Sequence, residues 1–168
     1  MVKKLCAFLI FCFIVLCAFG CSGVEDANAD YLRLHIRANS NEITDQNIKL
    51  KVRDEVIKYL TPLFGGVTSR TQAEIIVKRN TAELTEIVNN FLIQNDFGYN
   101  CAIAIKNETF PTRKYDDLVL EKGLYRAIII TLGKGEGDNW WCVAYPPLCF
   151  AEGEDVTYKS KIWEIIKE

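Results

Sequence analysis

The order in which the hydrophobic periodicity changes along the chain constrains its fold most strongly. Tyr31 to Arg37 alternates between apolar and polar residues, as a strand does. Two stretches of helical periodicity follow, at residues 44–60 and 71–95, and then three strand-like segments at residues 99–105, 124–132 and 140–145. One strand, then helices, then consecutive strands predicts an α+β fold. We expect a single domain with a largely antiparallel sheet of about four strands, packed with two or three helices.

Finer features of these segments make further structural predictions. Alternation places Arg33 and His35 on the polar face of a half-buried first strand. Thr44 is the predicted N-cap of the first helix. Asn80 followed by Glu83 resembles a capping box, which predicts two short helices instead of one over residues 71–95. Residues 158–167 are predicted to form a final helix.

The N-terminal segment has the pattern of an export signal. Lys3 and Lys4 precede an uninterrupted apolar run over residues 5–19, which is short for a spanning helix of ~20 residues. Residues 1–29 are therefore predicted to be a signal peptide or membrane anchor, and residues 30–168 the working domain. Cleavage near Ala29 or Gly20, lipidation of Cys21 and retention as a tether through residues 5–21 remain alternatives.

Charge and cysteine content exclude several functions. The formal net charge is −2, so the chain has no bulk attraction to nucleic acid. Three cysteines follow the N-terminal segment, and no C-x-x-C or Cys/His cluster offers a ligand set for a metal. Cys142 and Cys149 are predicted either to form a disulfide or to be buried thiols. His35 is the one histidine of the chain, and a hydrolase would need it beside a cysteine.

Two segments carry more recognition chemistry than folding requires. Trp140 and Trp141 must point to opposite faces of a strand, so one is predicted to be core and the other to need a cover from this chain or a partner. The second segment is a polar set around the first helix start, which could equally be a capped, ion-paired and solvated helix face. The predicted partner-binding residues are Trp140, Trp141, Tyr145, Pro146, Pro147, Phe150, Asn39, Asp45, Gln46, Lys49 and Arg53.

Several motifs, in the same order, resemble the stage II sporulation protein R family. They span nearly the whole domain from Tyr31 to Phe150. The motifs are His35-Ile36-Arg37-Ala38-Asn39-Ser40, Asp45-Gln46-x-x-Lys49, Val52-Arg53-Asp54, Phe110-Pro111-Thr112-Arg113-x-Tyr115, Gly137-x-Asn139-Trp140-Trp141-Cys142-Val143 and Pro146-Pro147-Leu148-Cys149-Phe150.

The resemblance implies an exported intercellular signal of sporulation. Such proteins are made in the forespore and secreted across its membrane into the intermembrane space. There they activate a membrane-embedded aspartic protease of the mother cell, stage II sporulation protein GA, which leads to cleavage of pro-sigma E. The resemblance implies no catalytic residues, cofactor or small-molecule substrate. The alternatives are an exported cell-envelope hydrolase that uses His35 and a cysteine, and a tethered structural envelope protein.

Overall fold

The computed structural model describes residues 28–115 and 118–148. A strand and two long helices come first, followed by five strands. The elements are β1 (Leu32–Arg37), α1 (Ile43–Leu63), α2 (Arg70–Gln94), β2 (Cys101–Phe110), β3 (Arg113–Tyr115), β4 (Leu118–Leu120), β5 (Gly123–Leu132) and β6 (Asn139–Tyr145).

Four strands form one sheet in the order β2-β5-β1-β6. β2 and β5 are antiparallel, as are β1 and β6, whereas β1 and β5 are parallel. The parallel pair requires a crossover, and α1, α2 and the strands after them provide it. β3 and β4 form a separate antiparallel hairpin. The predicted α+β domain with a largely antiparallel four-strand sheet is confirmed.

The main core lies between the sheet and the two helices. Alternate residues of β1 and β5 point to this face, and a stripe on each helix covers them. Each fully buried aliphatic side chain stabilises the fold by about 1.5–3 kcal/mol. The buried members of the main core include Leu32, Leu34, Ile36, Val52, Val56, Leu60, Val77, Leu84, Val88, Ile128 and Ile130.

A second, smaller core covers the opposite face of the sheet. Phe110, Tyr125, Ile129 and Val143 are buried there, together with Leu120 from the β3–β4 hairpin. Since this core covers the second face of β1, the predicted half-buried strand is wrong. The side chains of its polar face are buried instead of solvated, because β1 is a central strand with a core on each side.

Local signals misplaced some helix boundaries. α2 continues through Asn80, whose Nδ2 donates back to the Ile76 carbonyl within the same helix, so the predicted break is wrong. The N-cap of α1 is Glu42 instead of Thr44. No helix of the described residues is long and apolar enough to span a membrane. The predicted export segment and the predicted final helix lie outside the described residues, apart from Asn28 and Ala29.

Candidate functional site

The polar set at the start of α1 surrounds the carboxylate of Asp45. This buried group accepts hydrogen bonds from Asn39 Nδ2 (2.8 Å), Ser40 Oγ (2.6 Å) and Tyr99 Oη (2.6 Å). Burial alone would raise the pKa of Asp45, but the hydrogen bonds from Ser40, Tyr99 and Asn39 outweigh it and lower that pKa. Asp45 is therefore an ionised anchor for the loop after β1.

The same set binds the turn between β5 and β6. The buried Lys49 Nζ donates to Gln46 Oε1 (2.6 Å) and to the Asp138 carbonyl (2.9 Å). Burial lowers the pKa of Lys49, while the Asp138 carboxylate opposes that change. Asn41 Oδ1 accepts a hydrogen bond from the Asp138 amide (2.6 Å), which adds a second tie. The loop after β1 and the β5–β6 turn are therefore held together by one part-buried and one exposed hydrogen bond.

Gly137 explains why this close approach is sterically allowed. A Cβ at this position would lie 2.1 Å from the Ser40 carbonyl oxygen. The Gly137 amide donates to the Ala38 carbonyl (3.0 Å), so the two backbones run directly against each other. The glycine of the Gly-x-Asn-Trp-Trp motif is therefore a packing requirement of the loop contact.

Trp140 lies beside Arg53 of α1, and two exposed apolar residues of α1 precede Arg53. Trp140 packs at the edge of the main core, and the Arg53 guanidinium carbon lies 5.5 Å from its ring centroid. Leu50, three residues before Arg53, is 39% exposed, and Ile43, one heptad earlier, is 76% exposed. We call Trp140, Arg53, Leu50 and Ile43 the Trp140 patch. The structure thus brings the two segments predicted for partner binding together.

Trp141 lies on the second face, where it covers His35. The two rings are stacked, with centroids 3.7 Å apart and an interplanar angle of 18°. His35 Nδ1 is 2.7 Å from Glu108 Oε2, and Glu108 also bonds to Arg37 Nη2. His35 Nε2 is buried and has no hydrogen-bond partner. Trp141 is therefore part of an internal cluster, and it is half-buried, as Trp140 is.

Arg33 is a fully buried cation beside this cluster. Its Nε donates to the Cys142 carbonyl (3.1 Å), and its Nη2 donates to Tyr115 Oη (2.8 Å). Its guanidinium carbon lies 4.4 Å from the Phe110 ring centroid and 4.8 Å from that of Tyr125. Burial lowers the pKa of Arg33, and contact with Tyr115 opposes that shift. Aromatic faces and neutral acceptors thus surround this charge.

The geometry separates His35 from Cys142. In the β1–β6 pairing His35 is opposite Trp141 and Leu34 is opposite Cys142, so His35 and Cys142 point to opposite faces. Cys142 is disulfide-bonded. Cys101 is a buried free thiol whose pKa burial raises to about 11. The cysteine bonded to Cys142 lies outside the described residues, so its pairing with Cys149 stays a prediction.

The remaining predicted residues are distributed differently. Tyr145 is buried in the main core, and Pro146 and Pro147 are half-buried after it. Phe150 and Cys149 lie outside the described residues. Within residues 28–115 and 118–148, no group of three or more His, Cys, Asp or Glu side chains could hold a metal. The pattern gave no indication of Glu108 or Tyr99 as site residues, because their partners are distant in sequence.

The fold and these clusters define a small α+β domain whose buried polar groups bind its own loops and strands. The chain matches the model of the stage II sporulation protein R family over residues 28–155, and it belongs to that family. Stage II sporulation protein R of Bacillus subtilis (strain 168) is 36% identical over 121 residues, which are 72% of this chain and 54% of the relative. The chain therefore spans about half the length of this curated relative. No solved structure matches it.

Proposed function

We propose that this chain is an exported signalling protein of sporulation. It activates the membrane-bound aspartic protease of the mother cell, stage II sporulation protein GA, and so leads to cleavage of pro-sigma E. Family membership carries the proposal, because the match over residues 28–155 includes every described residue of the domain. The family name supports a role in sporulation. Export of the chain and activation of the protease go beyond that name and are part of our proposal.

The Trp140 patch is our proposed contact with the protease. Tryptophan and arginine are enriched among the residues that dominate binding energies, and here they lie together at a sheet edge. Leu50 and Ile43 extend the patch with exposed apolar area. Asp45 and Lys49 are buried, so their role in this proposal is to hold the loop and turn that position Trp140.

Activation by binding sets a thermodynamic requirement. The chain must bind the active arrangement of the protease more tightly than the inactive one, since equal affinity for both shifts nothing. An increase of the active fraction from 1% to 50% needs roughly a 100-fold difference in affinity, or about 2.7 kcal/mol. One or two well-packed aromatic or arginine contacts can supply that difference.

The hydrolase alternative has one feature in its favour and two against it. His35 hydrogen-bonds to Glu108 as a general base does to its orienting carboxylate. However, Nε2 is buried beneath the Trp141 stack, and the Cys142 sulfur is bonded in a disulfide on the other face. A folded His35→Gln variant should therefore retain pro-sigma E processing. A loss of several orders of magnitude would favour catalysis.

The decisive experiment is genetic complementation in the sporulating host. Deletion of the gene should abolish pro-sigma E cleavage, scored by immunoblot, and the wild-type gene should restore it. Leu50→Asp should reduce cleavage at least ~10-fold, because a charge replaces an apolar contact at the interface. The matched control is Ile93→Asp, since Ile93 is an exposed apolar residue on the other helix, 62% exposed.

Each outcome has a separate meaning. Persistence of cleavage in the deletion strain would refute the signalling function. Normal cleavage with a stable, exported Leu50→Asp protein would refute the Trp140 patch as the contact. Equal loss with Ile93→Asp would show a general effect of added charge and would also remove the support for the patch.

A further inference from the structure

A pocket of about 460 Å³ opens where the start of α2 meets the first residues of β5. Its lining shares no residue with the Trp140 patch. The charged lining comes from α2 and β5, and the uncharged lining comes from β5, β2 and the first described residues. The lining includes Asn28, Arg70, Glu74, Asn107, Leu124 and Arg126.

The pocket has more positive charge than its single carboxylate balances. Glu74 Oε1 accepts from Arg126 Nη2 (2.6 Å) and Lys78 Nζ (2.7 Å), and Oε2 pairs with Arg70 Nη1 (3.2 Å). Hydrogen bonding to Arg126, against the opposing effect of burial, lowers the pKa of Glu74 to about 2, so the carboxylate is ionised. Lys78 does not line the pocket, so Arg70 and Arg126 face one carboxylate there, an excess of one positive charge.

Donors in the pocket are also left without good acceptors. Arg70 Nε is buried and has no hydrogen-bond partner. Arg126 Nη1 has only a long contact, 3.4 Å, to Asn107 Oδ1. Arg70 is the first residue of the 25-residue helix α2, whose positive end has no acidic residue in its first turn. Buried donors usually have partners, so Arg70 Nε indicates an absent acceptor.

We propose that this pocket binds a phosphate group. The excess positive charge attracts the negative charge of a phosphate, and the several oxygens of a phosphate can meet donors from two separate guanidinium groups. A single carboxylate carries less charge and has fewer oxygens. The pocket wall includes Asn28 and Ala29, the last two residues of the predicted signal peptide or membrane anchor, residues 1–29. A phospholipid headgroup and free phosphate are the two sources of this chemistry.

The experiment measures thermal unfolding of the full chain in maltoside micelles, whose headgroups contain no phosphate. Inorganic phosphate should raise the Tm relative to chloride at equal ionic strength, because it binds the folded state only. Arg126→Gln should abolish the rise in Tm. Arg70→Gln should reduce that rise, and it provides the test if Arg126→Gln does not fold. Arg79→Gln is the matched control, since Arg79 is an exposed arginine of the same helix.

Glu74→Gln separates a phosphate site from an internal ion-pair cluster. The variant should have a lower Tm without phosphate, because three cations lose their counter-ion. It should bind phosphate about tenfold more tightly, since the positive excess of the pocket lining rises from one charge to two. A cluster that serves only stability would show the lower Tm and no gain in phosphate affinity.

Further ligands in the same assay identify the source of the phosphate group, and some results would overturn the proposal. A larger rise with dihexanoyl phosphatidylglycerol than with phosphate would identify a lipid headgroup, and a rise with inorganic phosphate alone would identify free phosphate. The proposal fails if neither ligand raises the Tm, if sodium acetate acts equally well, or if Arg126→Gln responds as the wild type does. None of these results depends on protease activation.

Discussion

Replacement of Asp45 by alanine should remove a large part of the domain's stability. The carboxylate accepts hydrogen bonds from Asn39, Ser40 and Tyr99, all within 2.8 Å. A buried donor without its acceptor costs about 1–3 kcal/mol, and the lower value applies here because Asn39 and Ser40 are only half-buried. We therefore expect a loss of about 3 kcal/mol, against a typical total of about 5–15 kcal/mol. Urea unfolding, followed by tryptophan fluorescence, measures it.

Matched variants divide this loss among its causes. Tyr99→Phe removes one donor and should cost about 1 kcal/mol. Asp45→Asn retains an acceptor and the side-chain volume, so its cost should lie between those of the other two variants. An Asp45→Ala variant within 1 kcal/mol of the wild type would show that water replaces these donors. The network would then have no anchoring role.

The stability that Asp45 contributes should also depend on pH, with a defined sign. Its folded-state pKa lies below the ordinary value of 3.8, so the folded domain holds the proton less tightly than the unfolded chain. The contribution is therefore complete above the ordinary pKa and is lost as the pH falls through the lowered one. Asp45→Asn should remove this part of the acid dependence. An unchanged stability profile below pH ~4 in that variant would contradict the assignment.

Three further predictions concern the other clusters. Trp141→Ala should lower the unfolding free energy by about 2–3 kcal/mol, which is less than the ~3–5 kcal/mol of a fully buried aromatic residue. A loss under 1 kcal/mol in urea unfolding would contradict a stabilising stack on His35. Glu74→Gln should lower the unfolding free energy at pH 7 by at most on the order of 3 kcal/mol in the same assay, since folding lowers the pKa of Glu74 from 4.5 to about 2. The wild type should lose this contribution as the pH falls through that interval. Reduction of the Cys142 disulfide should lower the unfolding free energy by roughly 2.5 kcal/mol if Cys149 is the partner. An unchanged Tm in dithiothreitol, with free thiols confirmed by mass spectrometry, would contradict this stabilisation.

Periodicity was sufficient to predict the fold class because each main element has a clear apolar repeat. The four strands of the sheet and the positions of the helices follow from it. The topology does not, since the parallel pairing of β1 with β5 depends on residues about 95 positions apart. The break expected at Asn80 failed because a local capping pattern competes with the longer apolar stripe. Val77, Leu84 and Val88 continue that stripe through the position, and packing decides the outcome.

Burial of polar residues was the main feature that the sequence could not predict. Arg33 and His35 alternate with aliphatic residues, which is the pattern of a solvated strand face. They are buried because Phe110 and Tyr115, far along the chain, cover that face. Asp45 similarly needs Tyr99, which is 54 residues away. A one-dimensional pattern indicates which groups are polar, whereas only the tertiary fold determines which of them have partners.

β6 joins the two clusters that this chain places on opposite faces of its sheet. Trp140 contacts α1 through Arg53, and Trp141 stacks on His35 one residue later. Arg33 holds the carbonyl of the next residue, Cys142, from the second face. A partner that binds Trp140 therefore contacts a strand whose next two residues, Trp141 and Cys142, are held by buried contacts. A strand held in this way loses little conformational entropy when a partner binds it, so Trp140 meets the requirement that the proposed protease contact be preorganised.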